Sequence, residues 1–163
     1  MKYAIQYLLA LMLLVFSTLI SWYEGSMIRD VPWEWKYTAF FSKMFNGEVT
    51  DNSEISQLDH FIYAAKFYPM YPILILLGLS YILILSGYLL LKNNIKELTV
   101  FLSAISVIYV FFGITISSSP TVGGKYFTFI FLFMGGINLA LATLFFFKMR
   151  KGVKKIGSFI FFT

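Results

Sequence analysis

Four stretches of this chain carry no charged residue and no histidine: residues 3–23, 67–91, 98–124 and 126–147. Crossing the hydrocarbon of a bilayer takes roughly 20 apolar residues in a helix. The pattern therefore predicts four membrane helices at about 4–23, 71–91, 98–118 and 126–147. At about 1.5 Å rise per residue each is roughly 30 Å long, enough to cross. Helices pair their own backbone groups in lipid. The runs are too long and too uniformly apolar for barrel strands, which alternate over about ten residues. The expected fold is all-α, a single membrane domain over 1–163: an integral membrane four-helix bundle with short amphipathic helices in the first outer loop.

That loop, residues 24–70, is the only long connection, and a structureless stretch of this length is unusual. Two helices are expected in it. In the first, Asp30 can cap and Pro32 occupies the first turn, where a missing N–H costs little. Tyr37, Phe40, Phe41, Met44 and Phe45 then form the apolar stripe of an amphipathic helix. Asn46-Gly47 supplies the stop, since flanking strand alternation for a hairpin is missing. The second runs from about Ser53 to Phe67, with Asp51 or Ser53 as cap and Ile55, Leu58, Ile62 and Ala65 on one face. Pro69 and Pro72 bracket the turn into the next span. These helices should lie on the membrane surface or pack as a lid on the outer ends of the spans.

Charge distribution sets the orientation. With the N-terminus inside, the cytoplasm holds Lys2, Lys92, Lys96, Lys148, Arg150, Lys151, Lys154 and Lys155 against one acid, Glu97. The outside holds five basic residues (Arg29, Lys36, Lys43, Lys66, Lys125) against seven acids. This is the positive-inside arrangement of a bacterial plasma-membrane protein, and it accounts for the formal charge of +5 without nucleic acid. The tail 148–163 should attract anionic lipid, by about 1 kcal/mol per basic residue, and Phe159–Phe162 should return to the interface. Lys2 before an apolar run is also the pattern of a cleaved leader, but the run is long for one and Ser21-Trp22-Tyr23-Glu24 offers no small-x-small cleavage site, so a retained membrane helix is expected. Trp22 fits an outer aromatic belt.

Composition narrows the chemistry. Charged residues are 13% and hydrophobic ones 59%, with 19 Phe, against about 25% charged in soluble domains. There are no cysteines, which removes disulfides, thiolate metal sites and thiol redox chemistry. The lone His60 cannot make a multi-histidine site. No catalytic residue, cofactor-binding residue or metal ligand set is predicted, and an enzyme is not expected. Glu24, the boundary acid after span one, reads as a solvated carboxylate or a partner for Arg29. Asn138 lies mid-span after Gly135-Gly136, and Gly136, Ala140 and Thr143 continue a small-residue stripe. Ser103, Ser106, Gly113 and Ser117 offer a matching face on span three, as packing glue or as a polar cavity. Gly123-Gly124-Lys125 reads as a turn rather than a phosphate loop. Trp33, Glu34 and Trp35 are the candidate contact residues of the loop. Residues two apart lie about 200° apart on a helix, so both tryptophans cannot join one stripe.

The hexapeptide Ser21-Trp22-Tyr23-Glu24-Gly25-Ser26, with the four-span plan, resembles a small uncharacterised membrane-protein family of Gram-positive, Bacillus-type bacteria. The resemblance implies a topology and no activity. The layout is also similar to claudin-type tetraspans, whose outer loop carries a cysteine pair that this chain lacks. Disulfide-forming quinone reductases depend on cysteine, and small multidrug transporters on a glutamate within the first helix, where this chain has only Gln6, Ser17 and Thr18. The expected role is an accessory or interaction protein that binds lipid, another membrane protein or a second copy of itself. The alternative is a small transporter or channel subunit with a polar path near Asn138 and the span-three serines.

Overall fold

A computed structural model describes residues 1–160, with side chains through Met149. Seven α-helices form in chain order, and no strand occurs among the described residues. They are α1 (Lys2–Gly25), α2 (Pro32–Thr38), α3 (Phe40–Asn46), α4 (Gln57–Phe67), α5 (Met70–Leu91), α6 (Ile95–Ile116) and α7 (Val122–Ile160). Short 3-10 turns occupy Ser26–Asp30 and Asn52–Glu54. Four helical segments, Lys2–Asp30, Met70–Leu91, Ile95–Ile116 and Val122–Met149, are long and apolar enough to cross a membrane. The helices overrun the charge-free runs because a helix tolerates charge in its end turns, as at Lys96, Glu97 and Lys125. No side chain from Arg150 onward is described, so the basic cluster and the return of Phe159–Phe162 to an interface lie outside what the structure describes.

The chain divides into two compact units. The first comprises residues 1–82 and 119–127. Its α1 buries a single stripe of small residues, Ala10, Ser17, Ser21 and Gly25. Small residues let helices approach closely. A Cβ on Gly25 would sit 1.9 Å from the His60 carbonyl oxygen of α4, and one on Gly78 of α5 would sit 2.9 Å from the Leu14 side chain of α1. Gly123 makes a third close approach, its Cβ position lying 1.8 Å from the Ala65 carbonyl oxygen. Gly123 and Gly124 are thus not a free turn. They belong to the first turn of α7, where the Thr121 hydroxyl accepts from the Gly124 N–H at 3.1 Å.

Residues 26–69 fold into a cap whose apolar core is Ile28, Trp35, Ala39, Ile55 and Tyr63, with Val31 and Val49 against it. Pro32 takes the first position of α2 as expected, but Val31 precedes it as N-cap and Asp30 makes no cap bond. The single helix expected over Tyr37–Phe45 is two. Ala39, at φ −77° and ψ 60°, leaves the helical region between α2 and α3. This kink turns the expected stripe outward: Tyr37, Phe40, Met44 and Phe45 are all about two-thirds exposed, and only Phe41 is partly covered. Gly47 ends α3 at φ +82°, a conformation glycine adopts without a Cβ penalty.

The second expected helix is likewise in two parts. Asp51 caps the short turn Asn52–Glu54 in a capping box, and Ser56 caps α4. The inward face of α4 is Asp59, His60, Tyr63 and Ala64, while Leu58 points out. Polar pairing rather than apolar period decides that face.

The second unit comprises residues 83–118 and 128 onward. Leu98, Leu102 and Ala142 are its buried cluster, flanked by Ile84, Leu91, Phe101 and Phe145. Asn94 caps α6 by accepting from the Glu97 N–H. The contact between α6 and α7 runs through Gly113, packed on Leu132 and Phe131, and through Gly135, packed on Val110 and the Ser106 carbonyl. The small-residue stripe through Gly136, Ala140 and Thr143 is corrected by this face. All three are exposed, and nothing lies within 4 Å of a Cβ placed on Gly136. The inward row is Phe131, Gly135, Asn138 and Ala142.

Candidate functional site

The cap is held by two charged side chains that sequence reasoning passed over. Asp59 is fully buried on α4. One carboxylate oxygen accepts from the Phe41 N–H at 2.8 Å; the other accepts from the Ser42 N–H at 2.8 Å and from the Ser42 hydroxyl. The Ser42 hydroxyl in turn accepts from the Ser56 N–H at 2.7 Å. Ala39, the N-cap of α3, has no side chain to offer. Asp59 supplies the cap from 18 residues away, where helix-end N–H groups favour an anion.

Lys66 acts at the C-terminal end of α2. Its ammonium donates to the Tyr37 carbonyl at 2.9 Å and the Thr38 hydroxyl at 2.8 Å, and pairs with Glu34 at 3.3 Å. Glu34 also accepts from Thr38 at 2.6 Å. A cation on terminal carbonyls is the favourable sign for a helix C-terminus.

This arrangement breaks up the expected contact triplet. Trp35 is in the core and donates from its indole to the Ile28 carbonyl at 2.7 Å. Glu34 is tied to Lys66 and Thr38. Trp33 alone faces outward, 74% exposed. The 200° argument holds for the two tryptophans, and the outward surface is Trp33 with Tyr37, Phe40, Met44 and Phe45.

His60 is buried against the Trp22 ring, centroids 5.8 Å apart. Trp22 is anchored from the other side by its indole bond to Gln57 at 2.5 Å. Neither His60 ring nitrogen completes a hydrogen bond of good geometry. Burial pushes its pKa below the ordinary imidazole value, and the charge of Arg29 adds to that. A poor contact to the Trp22 backbone and the charge of Asp59 oppose it. No group of three or more metal-ligating side chains occurs among the described residues.

Glu24 is neither freely solvated nor paired with Arg29. One of its carboxylate oxygens is buried with no hydrogen-bond partner, as is the Arg29 Nε. It borders a cavity of about 340 Å³ that Tyr68, Pro69, Met70, Tyr71, Ile73 and Tyr126 complete. Phe16 packs edge-on against Tyr71, and Tyr63 lies against Tyr68, at 6.3 Å each.

In the second unit, Ser106 donates to the Gly135 carbonyl at 2.8 Å, and Ser103 bonds back to Thr99 of its own helix at 2.9 Å. Asn138 is buried; its amide N–H donates to the Met134 carbonyl at 2.8 Å, and its side-chain oxygen has no partner. Ser106, Gly113, Gly135 and Asn138 are buried here, Ser103 partly so, and Ser117 is exposed.

These features define an all-helical protein with four long apolar helices and a folded cap between the first two. Residues 4–91, from α1 through α5, match the family model described as a domain of unknown function (DUF4306), and the chain belongs to that family. It is similar to the uncharacterised protein YjdJ of Bacillus subtilis (strain 168), 37% identical over 89 residues, covering 53% of this chain and 80% of that one. The Bacillus-type kinship read from Ser21–Ser26 is met at this level, and the hexapeptide lies within the matched residues. No solved structure matches.

Proposed function

We propose that this chain is an integral protein of the bacterial plasma membrane, spanning it four times as a helical bundle, and that it is an accessory protein. Both termini are cytoplasmic and the cap lies outside. The cap docks a second protein embedded in the same membrane. The four apolar helices and the excess of Lys and Arg on the inner side support the placement. Residues such as Leu8, Leu9, Met12 and Leu19 on α1 are all more than half exposed, which suits lipid and not water.

The observation that carries the docking reading is the outward stripe of Trp33, Tyr37, Phe40, Met44 and Phe45. It stands on a cap whose own core is already complete without it. Contiguous exposed apolar surface of this kind marks an interaction site, and Trp is a frequent contact anchor. A second reading, a polar transport path, is favoured only by the unpartnered oxygen of Asn138. The serines beside it are committed to backbone carbonyls.

Two substitutions and one crosslinker test the proposal. Cysteines at Asn52 and Asn94, in a chain with none of its own, should differ in intact cells: an impermeant thiol reagent labels Asn52→Cys and not Asn94→Cys. A photoreactive benzophenone residue at Phe45 should give a discrete protein adduct that Trp33→Ala removes. Lipid adducts alone would make the stripe a membrane anchor and end the docking reading. Labelling at Asn94 alone would invert the topology.

A further inference from the structure

The cavity beside Glu24 has a composition that selects a ligand class. Its walls are one carboxylate, three tyrosine rings and the apolar side chains of Pro69, Met70 and Ile73. The volume, about 340 Å³, lies at the small end of ligand sites. No lysine or arginine lines it, so an anion has no counter-charge there. A single carboxylate is too few oxygen donors for a calcium or magnesium ion, which takes six or more. What remains uncompensated is the carboxylate itself. One Glu24 oxygen is buried with no donor, which leaves the other to border the cavity, and the ion pair found among the described residues, Lys66–Glu34, does not involve the carboxylate. Burying such a group without a partner is costly.

We propose that this cavity binds an organic ammonium ion, with Glu24 as the counter-charge and Tyr68, Tyr71 and Tyr126 as the aromatic wall. An alkylammonium presents a diffuse positive charge wrapped in C–H groups. Ring faces attract that charge. The apolar walls accept the carbon shell, which a hydrated sodium ion lacks. Two of the rings are held in place before any ligand arrives, Tyr71 by Phe16 and Tyr68 by Tyr63. That reduces the ordering cost of binding. Tyr126 is the most open of the three, 55% exposed. The ammonium can come from a free amine or from an amine-bearing lipid headgroup. The inference stands apart from the docking reading: the stripe can fail as a contact while the cavity still binds.

The test uses the purified full chain. In detergent, choline and ethanolamine chlorides should raise the unfolding temperature in a saturable way, as any ligand of the folded state does, while sodium chloride at equal ionic strength should not. Glu24→Gln should weaken this binding at least tenfold with the unliganded unfolding temperature retained. Tyr126→Leu should weaken it and Tyr126→Phe keep it, because the ring face rather than the hydroxyl is used. Should Glu24→Gln fail to fold, the Tyr126 pair decides the matter. In nanodiscs, phosphatidylethanolamine retained by the native chain over phosphatidylglycerol, and lost in Tyr126→Leu, assigns the headgroup as source. Saturation by the soluble amines with no lipid preference assigns a free amine. Equal shifts by sodium, no shift by either amine together with no lipid preference, or unchanged binding in Tyr126→Leu overturns the proposal.

Discussion

Gly25→Ala and Gly136→Ala add the same methyl group to the same kind of helix, and the structure requires opposite results. At Gly25 the new Cβ would stand 1.9 Å from the His60 carbonyl oxygen and 2.4 Å from its carbon. Ordinary contact begins at 3.4 Å, so α1 and α4 must separate by the difference, 1.5 Å. Both obstacles are backbone, so no side chain can rotate away. Overpacking of this sort costs about 1–3 kcal/mol, and the rigid neighbour puts it near the upper end. The gain in helix propensity returns about 0.5–1 kcal/mol. The net expectation is a loss of about 2 kcal/mol, together with disturbance of the Trp22–His60 and Trp22–Gln57 contacts that straddle the crossing. At Gly136 nothing lies within 4 Å, so only the propensity gain of about 0.5–1 kcal/mol remains.

Unfolding of the purified chain by SDS in mixed micelles, followed by far-UV circular dichroism, measures both. All three tryptophans, at 22, 33 and 35, lie in the end of α1 and the cap, so their fluorescence should register Gly25→Ala and ignore Gly136→Ala. A Gly25→Ala variant as stable as the parent would mean that α1 and α4 do not cross at this point. A Gly136→Ala variant that loses stability would mean that Gly136 is covered in the folded protein.

Two further expectations concern the cap. Asp59→Asn keeps the shape but turns an NH₂ toward groups that are themselves donors, so it should cost about 1–3 kcal/mol; amide exchange at Phe41 and Ser42 should rise selectively, and unchanged protection there would refute the capping role. His60 is held neutral by burial, so the unfolded chain binds its proton more readily: cap stability should be full above about pH 7.5 and fall as pH drops below the ordinary imidazole value of about 6.5, toward the lowered folded one. Protonation would set His60 against Arg29, with only Asp59 to offset it. Exchange rates in α4, corrected for intrinsic pH dependence, should show this loosening in the parent and lose it in His60→Gln.

The long helices were readable because lipid-length apolar runs have few other solutions, and their errors are confined to the ends. The cap was harder for a definite reason. Amphipathic reasoning assumes that apolar faces turn inward, whereas here Thr38, Ser42, Asp59 and His60 occupy the interior. For Thr38, Ser42 and Asp59 the burial goes with pairings across 17 or more residues, such as Ser42 with Asp59, which no local period contains. The outward turn of Tyr37–Phe45 depends on a single residue, Ala39, whose sequence identity carries no breaker signal. Gly135 and Gly136 show the same limit at one-residue scale. Adjacent positions on a helix point 100° apart, and only the partner, here the Ser106 side chain, says which glycine faces in. The Glu24 cavity was missed because two of its walls, Tyr68–Ile73 and Tyr126, lie more than 40 residues from the carboxylate.

The way the cap is ordered bears on how it can act. With no cysteine to staple it, a loop of more than 40 residues needs another source of order. It has one: Asp59 closes the start of α3, Lys66 closes the end of α2, and Gly25 and Gly123 admit the α4 backbone to direct contact with α1 and α7. Each of these ties converges on α4, so α4 is the beam to which the rest of the cap is fixed. None of them uses the side chain of Trp33, Tyr37, Phe40, Met44 or Phe45; Lys66 takes only the Tyr37 backbone carbonyl. Truncating the stripe should therefore leave the cap folded, whereas altering α4 should move the stripe as a body. That separation suits the proposed docking role: contact side chains free of structural duty would stand on a backbone already held before a partner arrived, so little ordering entropy would be lost on binding.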